Sequence, residues 1–172
     1  MRELLADMLR QMEWADATVW RTVLAHPPAA EDAKIRELLC HIGVVQHAYL
    51  ALWKKEPVVI PEPGDFADVH ALREWVRTVY APCIAFVAGA DDAMLDASFE
   101  APWAEQFTRM LGRPPAAASI AESVAQMTSH STYHRGQINT RLRALGASPP
   151  LVDFIAWVWM GRPAPVWPKL AP

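Results

Sequence analysis

His130 and His134, within His130-Ser131-Thr132-Tyr133-His134-Arg135-Gly136-Gln137, are the residues of this chain best placed to do chemistry. On an α-helix a spacing of four puts both rings on one face, where two imidazoles can grip one metal ion. Six histidines scattered over 172 residues would produce about 0.2 such pairs by chance under template counting, so the pair alone is a weak signal. A metal site needs at least one more ligand. The zinc-protease pattern H-E-x-x-H also requires a glutamate directly after the first histidine, and that position is Ser131.

The segment that must carry the pair reads as a helix. Ser119 and Glu122 form an S-x-x-E capping box, apolar residues recur at Ile120, Val124, Met127, Ile138, Leu142 and Leu145, and Gly146 follows. The spacing places Ser131 and His134 on that apolar stripe, so His134 is expected to point inward and to need a partner.

Three further helices are expected upstream. Residues 2–25 carry Leu5, Met8, Leu9, Met12, Val19, Val23 and Leu24 and stop at Pro27-Pro28. Asp32 can cap a second helix through Ile35, Leu38, Leu39, Ile42, Val45, Tyr49 and Leu52, running until Pro57. After a proline-rich connection from Pro57 to Gly64, Asp68 can cap a third helix reaching about Gly89, kinked at Pro82. From Asp96 to Pro115 the periodicity fades, and alternation around Ala97–Trp103 reads as a loop or brief hairpin. Pro149-Pro150 opens a short final helix, and a proline-rich tail begins at about residue 162. Four long amphipathic helices without strand alternation predict an all-α fold, a four-helix bundle with a short additional C-terminal helix, in a single domain over residues 1–172.

Bundles build metal sites from side chains on facing helices, so the missing ligand belongs on another inward stripe. His41, three residues after Leu38 and four before Val45, lies beside the apolar face of the second helix. His47 falls nearer the line of Gly43, Leu50 and Lys54 and ranks behind it as the third ligand, an order that the spacing leaves open. His26 and His70 sit where side chains more often meet water. Glu122, Asp16 and Asp153 are available carboxylates without a geometry to rank them, so no catalytic residue is assigned. Arg135 could pair with an acidic substrate, but helix-surface arginines more often stay solvated, so it is assigned no role; Gln137 reads as either a ligand-orienting or a packing residue. Trp157, Trp159 and Trp167, among eight tryptophans, read as core first and as a substrate mouth or dimer contact second.

Composition narrows the function classes. A hydrophobic content of 52%, a charged fraction of 20% and a net charge of −3 describe an ordinary folded protein with no basic footprint for nucleic acid. The longest strongly apolar stretch, Leu151–Met160, is too short for a membrane span and contains Asp153. Acids among the first apolar residues argue against a secretory signal, and Cys40 and Cys83 fit reduced thiols, so a cytoplasmic protein is expected.

Leu38-Leu39-Cys40-His41-Ile42, followed by His130-x-x-x-His134-Arg135-Gly136-Gln137 and Leu142-Arg143-x-Leu145-Gly146, resembles the DinB-like metal-binding superfamily. Met12-Glu13-Trp14-Ala15-Asp16 is similar to that family's aromatic-x-x-Trp-Ala-Asn stretch, with Asp16 where asparagine is usual. The resemblance implies a four-helix bundle, often dimeric, holding a divalent metal on His41, His130 and His134. It also implies a small-molecule substrate, with thiol-dependent transferases or hydrolases among the relatives. Three neutral imidazoles leave a fourth position open on zinc, and nickel suits the same ligands. The leading expectation is a metal-dependent transferase or hydrolase that activates a thiol or water. The alternatives are a non-catalytic metal-binding or stress-response protein and a metal-free helical interaction module.

Overall fold

A computed structural model describes residues 1–169. Among these the chain is all-α apart from one pair of two-residue strands. Helix α1, Arg2–Leu24, buries Leu5, Leu9, Met12, Val19, Trp20 and Val23. It gives way at His26 to a single turn, α2, Pro27–Ala30, which starts on prolines whose missing N–H groups have no helical partner to lose. Helix α3, Ala33–Lys54, begins where the Asp32 carboxylate accepts a hydrogen bond from the Ile35 N–H at 2.9 Å. It ends on Lys55, whose φ of 57° turns the chain out of the helix before Pro57.

The third expected helix is two. Helix α4, Val69–Arg77, is capped by Asp68 as the sequence indicates, and α5 restarts at Tyr80 and runs to Gly89. The break falls at Thr78-Val79 rather than at Pro82. Proline lacks the N–H that would bond to the carbonyl four residues earlier, so restarting at Tyr80 puts Pro82 in a first turn where no such bond is required.

The segment from Asp96 to Pro115, expected to be irregular, contains a helix, α7, Ala104–Leu111, and a further short helix, α6, Asp92–Asp96, leads into it. Strand β1, Ser98–Phe99, pairs antiparallel with β2, Ala118–Ser119, so α7 lies within the connection of a minimal hairpin. No residue of α7 is buried, which explains why its short apolar spacing carried little weight beside the core helices.

Helix α8, Ile120–Ala144, starts with the predicted reciprocal cap between Ser119 and Glu122. Helix α9, Phe154–Trp159, is the short C-terminal helix. Within the expected tail, residues up to Lys169 lie against the helices, while residues 170–172 fall outside the described residues. Trp167 packs on Tyr80 with ring centroids 5.5 Å apart and donates to Glu13 Oε1 at 3.2 Å; Arg73 donates to the Pro168 carbonyl at 2.9 Å. Trp157 is core, whereas Trp159 is exposed.

Helix α8 packs against both α1 and α3; α5 lies on α1 and α4 on α3. The α3–α4 approach is close at Gly43, where a Cβ would meet Val76 Cγ2 at 2.5 Å and the Trp75 ring at 2.9 Å. A larger residue there would force the Val76 and Trp75 side chains to shift. Both cysteines are buried and free. No helix among the described residues is long and apolar enough to cross a membrane.

Candidate metal centre

The α3–α8 contact brings together the rings of His41, His130 and His134. Leu38, Leu39 and Ile42 on α3 and Met127, Ser131 and Ile138 on α8 are buried, so the histidines beside them emerge at the rim of that contact. His130 and His134 are half-buried and His41 is exposed. Ring centroids are 5.1 Å apart for His41 and His130, 4.5 Å for His41 and His134, and 4.4 Å for His130 and His134.

The Nε2 atoms of His41 and His130 lie 3.0 Å apart, and one potential ligand atom from each of the three residues falls within 4.8 Å of the others. Imidazole nitrogens at about 2.0–2.1 Å from one ion are separated by about 3.3–3.4 Å in a tetrahedral site and by about 2.8–3.0 Å when they meet at a right angle. The observed pair therefore fits an ion between the rings. The third ring is oriented for the same task. His134 Nδ1 lies 2.8 Å from Gln137 Oε1, an atom that can only accept, so Nδ1 carries a proton and Nε2 is the nitrogen left to ligate.

His47, the alternative third ligand, is elsewhere. Its Nε2 donates to the Trp75 carbonyl at 3.1 Å and its ring stacks on Trp75 at 4.2 Å, on the side of α3 that faces α4. His26 bonds through Nε2 to the Leu145 carbonyl at 2.9 Å and, like His70, is part-buried away from the cluster. Glu122 is occupied in the cap of α8, Asp153 precedes α9, and Asp16 lies in the core. The carboxylates that do line the cleft beside His41 and His134 are Glu37 and Glu62, neither of which the spacing argument singled out. Glu37 stands one turn before His41 on the same helix face and is paired with Lys34 at 2.7 Å.

Burial holds the His130 ring down at about 4, and the neighbouring His134 and His41 push in the same direction. Burial, with His134 next, lowers His41 as well. Both rings are therefore neutral at pH 7, the state that metal ligation requires. A histidine whose folded value lies below the ordinary 6.5 takes up its proton more readily in the unfolded chain, so it favours unfolding as acid is added. The melting temperature of metal-free protein is expected to fall between pH 6.5 and about 4, and to fall less in His130→Asn. Equal pH profiles for the two proteins in a thermal melt series would contradict this assignment.

One residue round from His134 on α8, the structure reverses the reading of Arg135. It is 2% exposed, and its Nη1 donates to Asp16 Oδ1 at 2.7 Å, with Asp16 only 4% exposed. Asp16 Oδ2 accepts from Gln46 Nε2 and from the Tyr80 hydroxyl, each at 2.8 Å, and Gln46 Nε2 also reaches Ser131 Oγ at 3.2 Å. This network ties α1, α3, α5 and α8 together at one buried point. Burial first, and then the Asp16 carboxylate, keeps the Tyr80 hydroxyl well above the usual phenol range, so it stays a donor.

A signal for this pair was present in the helical period. Met127, Ser131, Arg135, Ile138 and Leu142 follow spacings of four, four, three and four, and all are buried. Arg135, rather than His134, occupies the stripe. His130 and His134 sit one residue round from it, at the rim, where a ring can face both a partner helix and solvent.

No curated protein matches the chain. The DinB superfamily model matches residues 3–138, a span that includes the three clustered histidines, Gln137 and both members of the buried ion pair. With most of its length so matched, from the first helix through the histidine-bearing one, the chain belongs to the DinB superfamily.

Proposed function

We propose that His41, His130 and His134 hold a divalent ion, zinc or nickel, and that the protein uses it on a small-molecule substrate for transfer or hydrolysis. The convergence of three imidazoles from α3 and α8, two of them with Nε2 atoms 3.0 Å apart, carries this reading. A divalent ion held by these three residues would supply Lewis-acid chemistry, lowering the pKa of a water or thiol toward neutral pH. Gln137 fixes the tautomer of His134, and the Asp16–Arg135 pair holds the α8 backbone from which both histidines project. The fold underneath we read as a four-helix bundle of α1, α3 and α8, with α4 and α5 together as its interrupted fourth member. A second copy of the chain is the partner in this reading, supported by the exposed apolar side chains of Leu4, Ile155 and Trp159.

A non-catalytic metal-binding role is favoured by one observation: the Glu37 carboxylate in the cleft is paired with Lys34, while Glu62 is engaged in the cap of the 3-10 turn at Pro63–Asp65. Metal analysis and turnover separate the readings. Untagged protein is expected to take up one zinc or nickel ion per chain and to gain activity in a screen pairing small thiols with electrophiles. Failure to take up either ion would remove the metal-dependent reading; uptake without turnover would leave the binding role.

A further inference from the structure

The cleft that opens beside His41 and His134 has a volume of about 480 Å³, inside the range of about 300–1,000 Å³ typical of small-molecule sites. One of its walls is apolar and comes from the connection between α3 and α4. Ile60 there is 67% exposed, which leaves a branched aliphatic side chain in water beside Pro61 and Pro63. Leu38 and Val44 of α3 line the same cleft.

That connection is fastened rather than loose. Arg36 Nη2 donates to the carbonyls of Pro63 at 2.9 Å and Phe66 at 2.7 Å, and the Glu62 N–H donates to Asp65 Oδ2 at 2.8 Å. Three prolines between residues 57 and 63 restrict it further. A pinned segment that holds an isoleucine in solvent is a preformed apolar surface, and little ordering is needed for a ligand to cover it.

We propose that this cleft receives the apolar body of the substrate, an alkyl or aryl portion lying against Ile60, Val44 and Leu38 with its reacting group at the three histidines. The inference rests on the reading of those histidines as the reacting centre. A polar thiol alone would leave Ile60 uncovered; a substrate with a hydrocarbon portion next to its reactive group covers it.

The experiment uses n-alkyl hydroxamates, acetyl, butanoyl and hexanoyl, titrated calorimetrically into zinc-loaded protein whose zinc content is measured first. Affinity is expected to rise about fourfold for each methylene buried. Ile60→Ser, a change at an exposed position, should flatten that slope. A flat series in the wild-type protein, or the same slope in Ile60→Ser, overturns the proposal. A second arm needs no metal: 1-hexanol added to metal-free protein should shift the methyl resonances of Ile60, Val44 and Leu38. Silence at those methyls overturns the cleft assignment even in protein that takes up zinc. Shifts there in protein that refuses zinc support the cleft and count against the metal reading alone.

Discussion

Arg135→Ala is expected to destabilise the fold by about 3–5 kcal/mol, because it strands the Asp16 carboxylate in the core. Asp16 is 4% exposed and would keep only the two neutral donors, Gln46 and Tyr80. For a chain of 172 residues such a loss lowers the melting temperature by about 6–20 °C. The cost comes from an unpaired buried charge rather than from lost attraction alone, so Asp16→Asn in the Arg135→Ala background should restore part of the stability. A double-mutant cycle by urea denaturation reads the coupling directly. Additive losses would show that the pair does not act as a unit. The asparagine also matches the residue usual at this position in the family pattern.

The second large effect concerns the ion. Zinc affinity measured by chelator competition should fall most in His41→Ala, His130→Ala and His134→Ala, each of which removes a ligand. Gln137→Ala leaves the ligand but frees its ring, for an expected loss of about 10–100-fold. His47→Ala should leave affinity unchanged, since its Nε2 is committed to the Trp75 carbonyl and its ring is stacked. Retained affinity in His41→Ala together with loss in His47→Ala would reverse the assignment. The graded order separates positioning from ligation: a merely structural Gln137 would change stability and leave the affinity of the folded protein alone.

Helix existence was legible wherever a long apolar stripe coincided with a cap. Asp32, Asp68 and Ser119 with Glu122 all cap as their positions suggest, because capping is a local bond between a side chain and the next turn. Pro82 signalled a disruption but not its place, since the chain can meet a missing N–H either by kinking at the proline or by restarting just before it. Helices α6 and α7 were not legible: they are five and eight residues long, and α7 buries nothing, so neither imposes a full period on the sequence.

The amino-acid order by itself determined the all-α class and the shared face of His130 and His134, each of which depends on residues within a few turns of one another, and it carried the family pattern as short motifs spread along the chain. The tertiary structure alone decided that His41 meets that pair while His47 turns to Trp75, and that Arg135 closes on Asp16 across a separation of 119 residues. The physical reason lies in how α3 and α8 pack. A helix face constrains direction to within a residue or so, and one residue of rotation, about 100°, is the difference between the buried row of Arg135 and the rim row of His134.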